Sequence, residues 1–372
     1  MTPSYTYIDS TDALVRAMSS CAGRDVVTVD TEFQRTDTYY PEVGLIQVYD
    51  GETCFLIDPL PIDSLEPFAT LMADNDTIKV LHACSEDLEV FHYSLGCVPG
   101  ALFDTQIAAA VLGTGFSMSY QNLVEHHLSV VVPKEETRSN WLRRPLSESQ
   151  KDYAALDVIY LFDVYQQQVA SLETEGRSEW VAEECEQLGN EIAINVPPGE
   201  MYLRIKSAAR MNGEELNRLR ELCAWREETA RRLNVPRNRI VDEKSLINIC
   251  RNPPYSREAL ARAGLSPKQV RRYEADITEC LERAELIHPS DWPAPMPDGG
   301  NVDNKRLKVL RQVVNERAEA IGIAPEMLAR RRQLEELLRS NGEGNGYQLP
   351  SSLSGWRREL IGKQLLEALG DG

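Results

Sequence analysis

The stretch Val26–Phe33, V-V-T-V-D-T-E-F, constrains this chain more than any other. A β-branched run of this length reads as a buried strand. Asp30 and Glu32 stand two positions apart near its end, and side chains alternate across a strand, so both carboxylates project from one face. Two anions at the end of an apolar strand repel each other unless a positive charge lies between them. A divalent cation such as Mg²⁺, which prefers oxygen ligands, is a natural candidate. The competing reading is an exposed strand end with two solvated acids.

A chain of 372 residues predicts two or three domains. Its first residues, M-T-P-S-Y-T-Y-I-D-S, carry neither the basic nor the apolar region of a signal peptide, and no run is apolar for long enough to cross a membrane. The eight cysteines are scattered without a C-x-x-C pair, and the five histidines lack zinc spacing. Reduced thiols and a cytoplasmic protein with no membrane partner are expected, with Cys54 and Cys84 in the core and a monomer as the default. The net charge of −18 is unevenly spread. Residues 1–195 hold 10 Lys and Arg against 32 Asp and Glu, whereas residues 196–372 hold 30 against 26. The rear half is therefore the one suited to phosphate, although a solvated helical surface explains its mild excess almost as well.

In order, the front half predicts a strand at 5–8, a helix over 11–20 behind Asp9 and Ser10, and the Val26–Phe33 strand. Strands at 44–49 and 53–57 follow, joined at Asp50-Gly51, then a helix over 65–73 and a strand at 78–82. That order is a mixed sheet in an α/β fold. Ser85 then caps a helix with Glu86 and Asp87 in its first turn and Leu88, Phe91 and Leu95 as its buried stripe. An acid in a first helical turn is favoured by the helix dipole alone, so Asp87 by itself says little. Asp104 is the expected N-cap of the next helix and is read as structural. The pair His126-His127 does not share a helical face, which argues against a joint metal role. Ser147 caps a long helix on which Tyr153 and Asp157, four apart, share a face, while Asp163 points elsewhere. Trp141, Arg143 and Arg144 form a basic-aromatic loop patch that either holds a strand of RNA or covers the helix start.

Asp30 and Glu32 on a strand, Asp87 early in a helix, and Tyr153 one turn before Asp157 form an ordered set, D-x-E, D, Y-x-x-x-D. This set resembles the DEDD superfamily of 3′→5′ exonucleases, on a ribonuclease H-like fold. Tyrosine ahead of the last Asp marks the DEDDy branch; the histidine branch has its base five positions before that Asp, where this chain has Asp152. The flanking text, V-D-T-E-F and R-P-L-S-x-x-Q-x-x-Y-A-A-L-D-V, resembles the ribonuclease D family, and the resemblance covers about residues 5–195. It implies two divalent metal ions (Mg²⁺ or Mn²⁺), one acidifying the attacking water and the other steadying the leaving 3′ oxygen. It further implies that Asp30 bridges them, that Glu32 and Asp157 complete one shell, and that Asp87 serves the second ion through water. Tyr153 would orient the attacking water; with a reference pKa of about 10 it is a poor base alone. Phe33 either stacks on the terminal base or packs in the core, and Gln47 and His82, near strand ends, are candidate substrate contacts.

The rear half carries no strand pattern. The segment I-N-V-P-P-G-E-M-Y, Ile194–Tyr202, reads as a linker. Beyond it, L-R-E-L-C-A-W-R-E-E-T-A-R-R-L-N-V-P and L-K-V-L-R-Q-V-V-N-E-R-A-E-A-I-G-I-A-P form an internal repeat, each a helix ending in an apolar-x-Pro turn. The repeat resembles the HRDC domain, a helical module that is often a nucleic-acid binder. The second copy is more divergent: it lacks a Trp where Trp225 stands, and the loop S-N-G-E-G-N-G-Y interrupts it. Arg231, Arg232, Arg271, Arg272 and Arg330 to Arg332 are then candidate phosphate contacts, against the competing reading of a solvated charged face.

The expected organisation is an exonuclease domain at 1–195, a linker at 196–209, a first HRDC-like domain at 210–289, a Pro/Gly-rich linker at 290–302 and a second HRDC-like domain at 303–372. The activity implied by the resemblance is metal-dependent trimming of RNA with a free 3′ end, tRNA precursors foremost, releasing 5′ nucleoside monophosphates. A 3′→5′ DNA exonuclease and an inactive RNA-binding scaffold are the alternatives.

Overall fold

The computed structural model describes residues 3–132, 136, 139–193, 196–254, 256–295, 303–341 and 346–370. Among them, six strands form one mixed sheet: β1 (Thr6–Ile8), β2 (Val26–Gln34), β3 (Glu42–Tyr49), β4 (Cys54–Ile57), β5 (Ile78–Leu81) and β6 (Ala101–Asp104), in the order β1-β4-β3-β2-β5-β6. β3 runs antiparallel to both β2 and β4, whereas β2, β5 and β6 run parallel to one another and β1 runs parallel to β4. The tight turn at Asp50-Gly51 makes the β3–β4 hairpin possible. Asp50 Oδ1 accepts from the amides of Glu52 and Thr53, and Gly51 takes a φ of +91°.

Because β2 lies centrally, both its faces are covered. Val27 and Val29 join Ile46, Val48 and Ile57 in a core packed against α1 (Thr11–Cys21), α2 (Glu66–Ala73) and α3 (Ser85–Val90). Leu88 and Phe91 are fully buried there; the expected helix continues past α3 as a π turn, Phe91–Leu95. After β6 come α4 (Thr105–Val111) and α5 (Tyr120–Leu128). The opposite sheet face carries α6 (Glu148–Glu175), whose Ala154, Ala155 and Val158 pack on Leu45 and Leu56. Ser147 caps α6 as expected, in a reciprocal arrangement with Gln150. The following helix is α7 (Ser178–Ala193).

Two local expectations change. The sequence predicts a helix opening at Phe103-Asp104-Thr105 with no strand before it, but Ala101–Asp104 is an edge strand followed by the helix that Asp104 caps. Ser85 does not cap α3: Cys84 holds the N-cap position, and the Asp104 carboxylate accepts from the amides of Ala83 and Cys84 as well as from Gln106 and Ile107. One aspartate thus satisfies amides at two helix starts.

The chain forms two compact units, Met1–Gln34 with Pro41–Ala193 and Val302–Gly372, and Arg35–Tyr40 with Ile194–Asn301. In the second unit, α8 (Gly213–Leu233), α9 (Arg237–Ile240), α10 (Glu243–Arg251), α11 (Arg257–Ala263) and α12 (Pro267–Leu286) surround one apolar core. The 196–209 stretch, expected to be a linker, carries two 3₁₀ turns there, and Met201, Ile205 and Ala208 are buried in that core. Tyr39, from the short segment that follows β2, is buried in the same unit, where its hydroxyl donates to Glu227 beside Arg231 and Arg237. Arg231 is therefore partnered within the fold.

The first unit also contains α13 (Asn304–Ile321), α14 (Pro325–Leu328) and α15 (Arg331–Arg339), then α16 (Gly355–Arg357), a π turn (Arg358–Gly362) and α17 (Lys363–Glu367). These pack on α4, α6 and α7 in a continuous core. Trp356 stacks on Trp180 with ring centres 4.9 Å apart, and Arg357 pairs with Glu184 through two nitrogens. Residues 194, 195, 296–302 and 342–345, on which parts of both expected linkers and of the S-N-G-E-G-N-G-Y loop fall, lie outside the described residues.

Candidate active site

The sheet itself opens the site. β5 pairs with β2 from Val26↔Ile78 to Thr28↔Val80 and no further, so Asp30 lies beyond the paired part of that edge, at the carboxyl ends of parallel strands. Such ends are where open α/β sheets leave a crevice. Asp30 pairs with Gln47 and Glu32 with Leu45 in the antiparallel register, which directs both carboxylates to the α6 face. A bulge follows between Glu32 and Phe33.

From α6, Asp157 meets them. Carboxylate oxygens of Asp30, Glu32 and Asp157 lie within 4.8 Å of one another. Asp87 arrives from the first turn of α3 and accepts a hydrogen bond from Thr31, which projects from the other face of β2. All four acids, with Phe33, His82, Tyr120 and Tyr153, line one pocket of about 300 Å³.

Burial raises the pKa of each of the four acids, and neighbouring carboxylates raise Asp30, Glu32 and Asp87 further. Tyr153 pulls Asp157 back down through its hydroxyl, while burial and the surrounding acids push the Tyr153 phenol up. Asp157 Oδ1 is buried and has no hydrogen-bond partner among the described residues. An all-oxygen donor set that repels itself, with one buried lone pair unmet, fits divalent cations. The two carboxylates of the strand and the one on α6 could share an ion, and Asp87 borders the same space.

The weaker sequence candidates separate. Phe33 is half-buried against the sheet core and also lines the pocket, so its two readings coincide. His82 lines it too. Its Nδ1 lies 2.9 Å from Thr105 Oγ1, which donates to the Leu81 carbonyl, and its Nε2 is buried. Gln47 is fully buried behind Asp30, between the sheet and α6, and is shielded from substrate. Trp141 is 2% exposed and packs toward Tyr153. Arg144 is committed to the fold, with two 2.6 Å bonds to Asp58 and further bonds to the carbonyls of Gly44 and Trp141. Of that loop patch, Arg143 alone is exposed.

The sequence predicts neither the supporting roles of Thr31 and Tyr120 nor the reach of Asp104, the expected N-cap of α4, to the start of α3. Thr31 holds Asp87, Asp104 sets the start of α3, and Tyr120 bonds to the Asp157 carbonyl. A polar residue on the buried face of an apolar strand was the one available signal, at Thr31.

Comparison with known proteins places these observations. A family model described as 3′-5′ exonuclease matches residues 5–173, an HRDC domain model matches 215–281, and a model described as Ribonuclease D, C-terminal HRDC domain, matches 304–365. Ribonuclease D of Pseudomonas paraeruginosa is 42% identical, over 99% of this chain and 98% of that one. Ribonuclease D of Escherichia coli is 34% identical, over 97% of each. The crystal structure of Escherichia coli RNase D, described as an exoribonuclease involved in structured RNA processing, superposes with a TM-score of 0.93 at 34% identity, covering 99% of both chains.

Proposed function

Since the chain belongs to the ribonuclease D family and is a 3′→5′ exoribonuclease, we propose that it trims structured RNA, tRNA precursors foremost, one 5′ nucleoside monophosphate at a time, with the Asp30–Glu32–Asp87–Asp157 pocket as its two-metal site. The observation that carries this reading is the convergence of Asp30, Glu32 and Asp157 oxygens within 4.8 Å in a pocket that Asp87 also lines.

Asp30, Glu32, Asp157 and Asp87 would hold two divalent cations, Mg²⁺ or Mn²⁺, which when bound supply an acidified water and steady the departing 3′ oxygen. The chain's own residues do the rest. Tyr153, beside Asp157 and with its phenol held protonated, positions the attacking water through its hydroxyl. Phe33 gives the terminal base an apolar surface at the pocket wall. His82, its Nδ1 held by Thr105, forms part of the pocket wall beside the terminal nucleotide. Thr31 and Asp104 keep α3, and with it Asp87, in register with β2. No helix among the described residues is long and apolar enough to cross a membrane.

The test is an end-labelled tRNA precursor incubated with and without chelator, its products resolved to the nucleotide. Stepwise 3′ shortening with release of 5′ monophosphates, abolished by chelator and restored by Mg²⁺ or Mn²⁺, is expected. Internal cleavage, or trimming that ignores the chelator, would overturn the reading.

A further inference from the structure

In the first unit, the loop between α4 and α5 faces α13, α14 and the start of α15 across a cleft of about 550 Å³. Phe116 on that loop is 41% exposed, unusual for a phenylalanine. The cleft floor is apolar, with Val314, Ala329 and Leu334. Its rim carries Arg311, Arg330 and Arg331 against one acid, Glu326. Arg331 is paired with Glu335, whereas the exposed side chains of Arg311 and Arg330 have no ion-pair partner among the described residues. The neighbouring cleft is different: Arg330, Arg332 and Arg357 line it together with Glu184, Glu191 and Glu336. Positive charge is thus concentrated around an exposed aromatic ring, although residues 1–195 carry a large excess of acid.

The loop is held in place. Gln106 Nε2 donates to the Met118 carbonyl at 2.9 Å, and Ser117 is fixed at a φ of +54°, a conformation that a non-glycine residue adopts only when its surroundings impose it. Four residues beyond Phe116, Tyr120 and then Gln121 line the catalytic pocket. The Cα atoms of Phe116 and Tyr120 are therefore at most about 14 Å apart, comparable with about four stacked nucleotides.

We propose that this cleft is an upstream strand site: Phe116 stacks on a base of the single-stranded RNA whose 3′ end occupies the acidic pocket, and Arg311 and Arg330 neutralise its phosphates. The site extends the exonuclease reading and rests on it. An arginine-rimmed apolar floor with one exposed ring matches a flexible strand, which offers alternating phosphates and base faces. It reads no sequence, so it lengthens the grip on substrate without choosing among substrates.

The experiment uses the full chain, with Arg311→Ser and Arg330→Ser combined, and separately Phe116→Ala and Phe116→Trp. Affinity for a single-stranded RNA of about a dozen nucleotides is measured across a salt series in the Asp30→Asn background, and kcat/KM is measured in the active chain for that RNA and for a dinucleotide. The double variant should reduce the slope of log affinity against log salt by about 0.7 per arginine. Phe116→Ala should weaken long-RNA binding by roughly 5- to 100-fold, with Phe116→Trp restoring it. The ratio of kcat/KM for long RNA to that for the dinucleotide should fall about tenfold or more in the double variant and in Phe116→Ala. An unchanged slope and an unchanged ratio would overturn the upstream site and leave the exonuclease reading intact. A parental chain that releases nucleotide from neither RNA would instead remove the exonuclease reading, with the salt series still deciding whether the cleft binds RNA.

Discussion

The Tyr120 hydroxyl donates to the main-chain carbonyl of Asp157 at 2.6 Å, tying α5 to the turn of α6 that bears the last of the four pocket acids. Tyr120 is thus a positioning residue. Tyr120→Phe should cost about 1 kcal/mol of stability and weaken Mg²⁺ binding while sparing the fold. Urea unfolding and calorimetric Mg²⁺ titration read the two effects separately, and unaltered metal affinity would reduce Tyr120 to a packing residue.

Tyr153→Phe keeps the ring that packs near Trp141 and removes only the hydroxyl. The chemical step should slow by about 100-fold or more, the usual scale for a positioned proton-handling group, with Mn²⁺ affinity nearly unchanged. Single-turnover kinetics on a short RNA measure this. A variant with the parental rate would remove Tyr153 from the mechanism.

The pocket acids give the metal-free chain a distinctive pH response. Burial, reinforced by neighbouring carboxylates at Asp30, Glu32 and Asp87, raises their pKa values, so the folded state binds more protons than the unfolded one. Their contribution to stability is present at acid pH and lost as pH rises through the raised values. Metal-free protein should therefore lose thermal stability from about pH 6 to about pH 8, and Mg²⁺ should restore more of it at the upper end. Asp30→Asn should flatten the trend and shrink the Mg²⁺ gain. A melting temperature that ignores Mg²⁺ throughout would count against the donor set.

Glu227 in the second unit responds with the opposite sign. Burial alone would raise its carboxyl, but Arg237, Tyr39 and Arg231 hold it at about 2. Its stabilisation is present above the unfolded carboxylate value and lost as pH falls toward that figure. Acid titration followed by hydrogen exchange should show the amides of α8 losing protection over this range, and Glu227→Gln should shift the loss to milder acid.

The last helices of the first unit are part of its core. Glu184→Gln leaves Arg357 short of its charge partner and should cost about 3 kcal/mol, read by chemical denaturation. A chain ending at residue 193 uncovers Val111, Leu172 and Val181 and should aggregate; a soluble, fully active fragment would contradict that packing.

What could be read from the residues alone was whatever local periodicity or local chemistry expresses. The alternation in Val26–Phe33 places Asp30 and Glu32 on one face, and the four-residue spacing puts Tyr153 with Asp157, the arrangement found in the pocket. Contacts between distant segments were not legible. Nothing near Arg144 in the chain announces Asp58, and nothing near Tyr39 announces Glu227, because partners at such separations are chosen by tertiary packing. Gln47 and Trp141 show the same gap: polarity and an aromatic ring looked like substrate contacts, and burial made them core. The edge strand β6 was hidden because its four residues run directly into a helix.

Anomalous scattering from crystals of the full chain soaked in Mn²⁺ tests the central claim most directly. The account predicts two peaks inside the pocket, bounded by Asp30, Glu32, Asp87 and Asp157, and their loss in Asp30→Asn crystals treated alike. A pocket without Mn²⁺ in a chain that still shortens RNA from its 3′ end would contradict it.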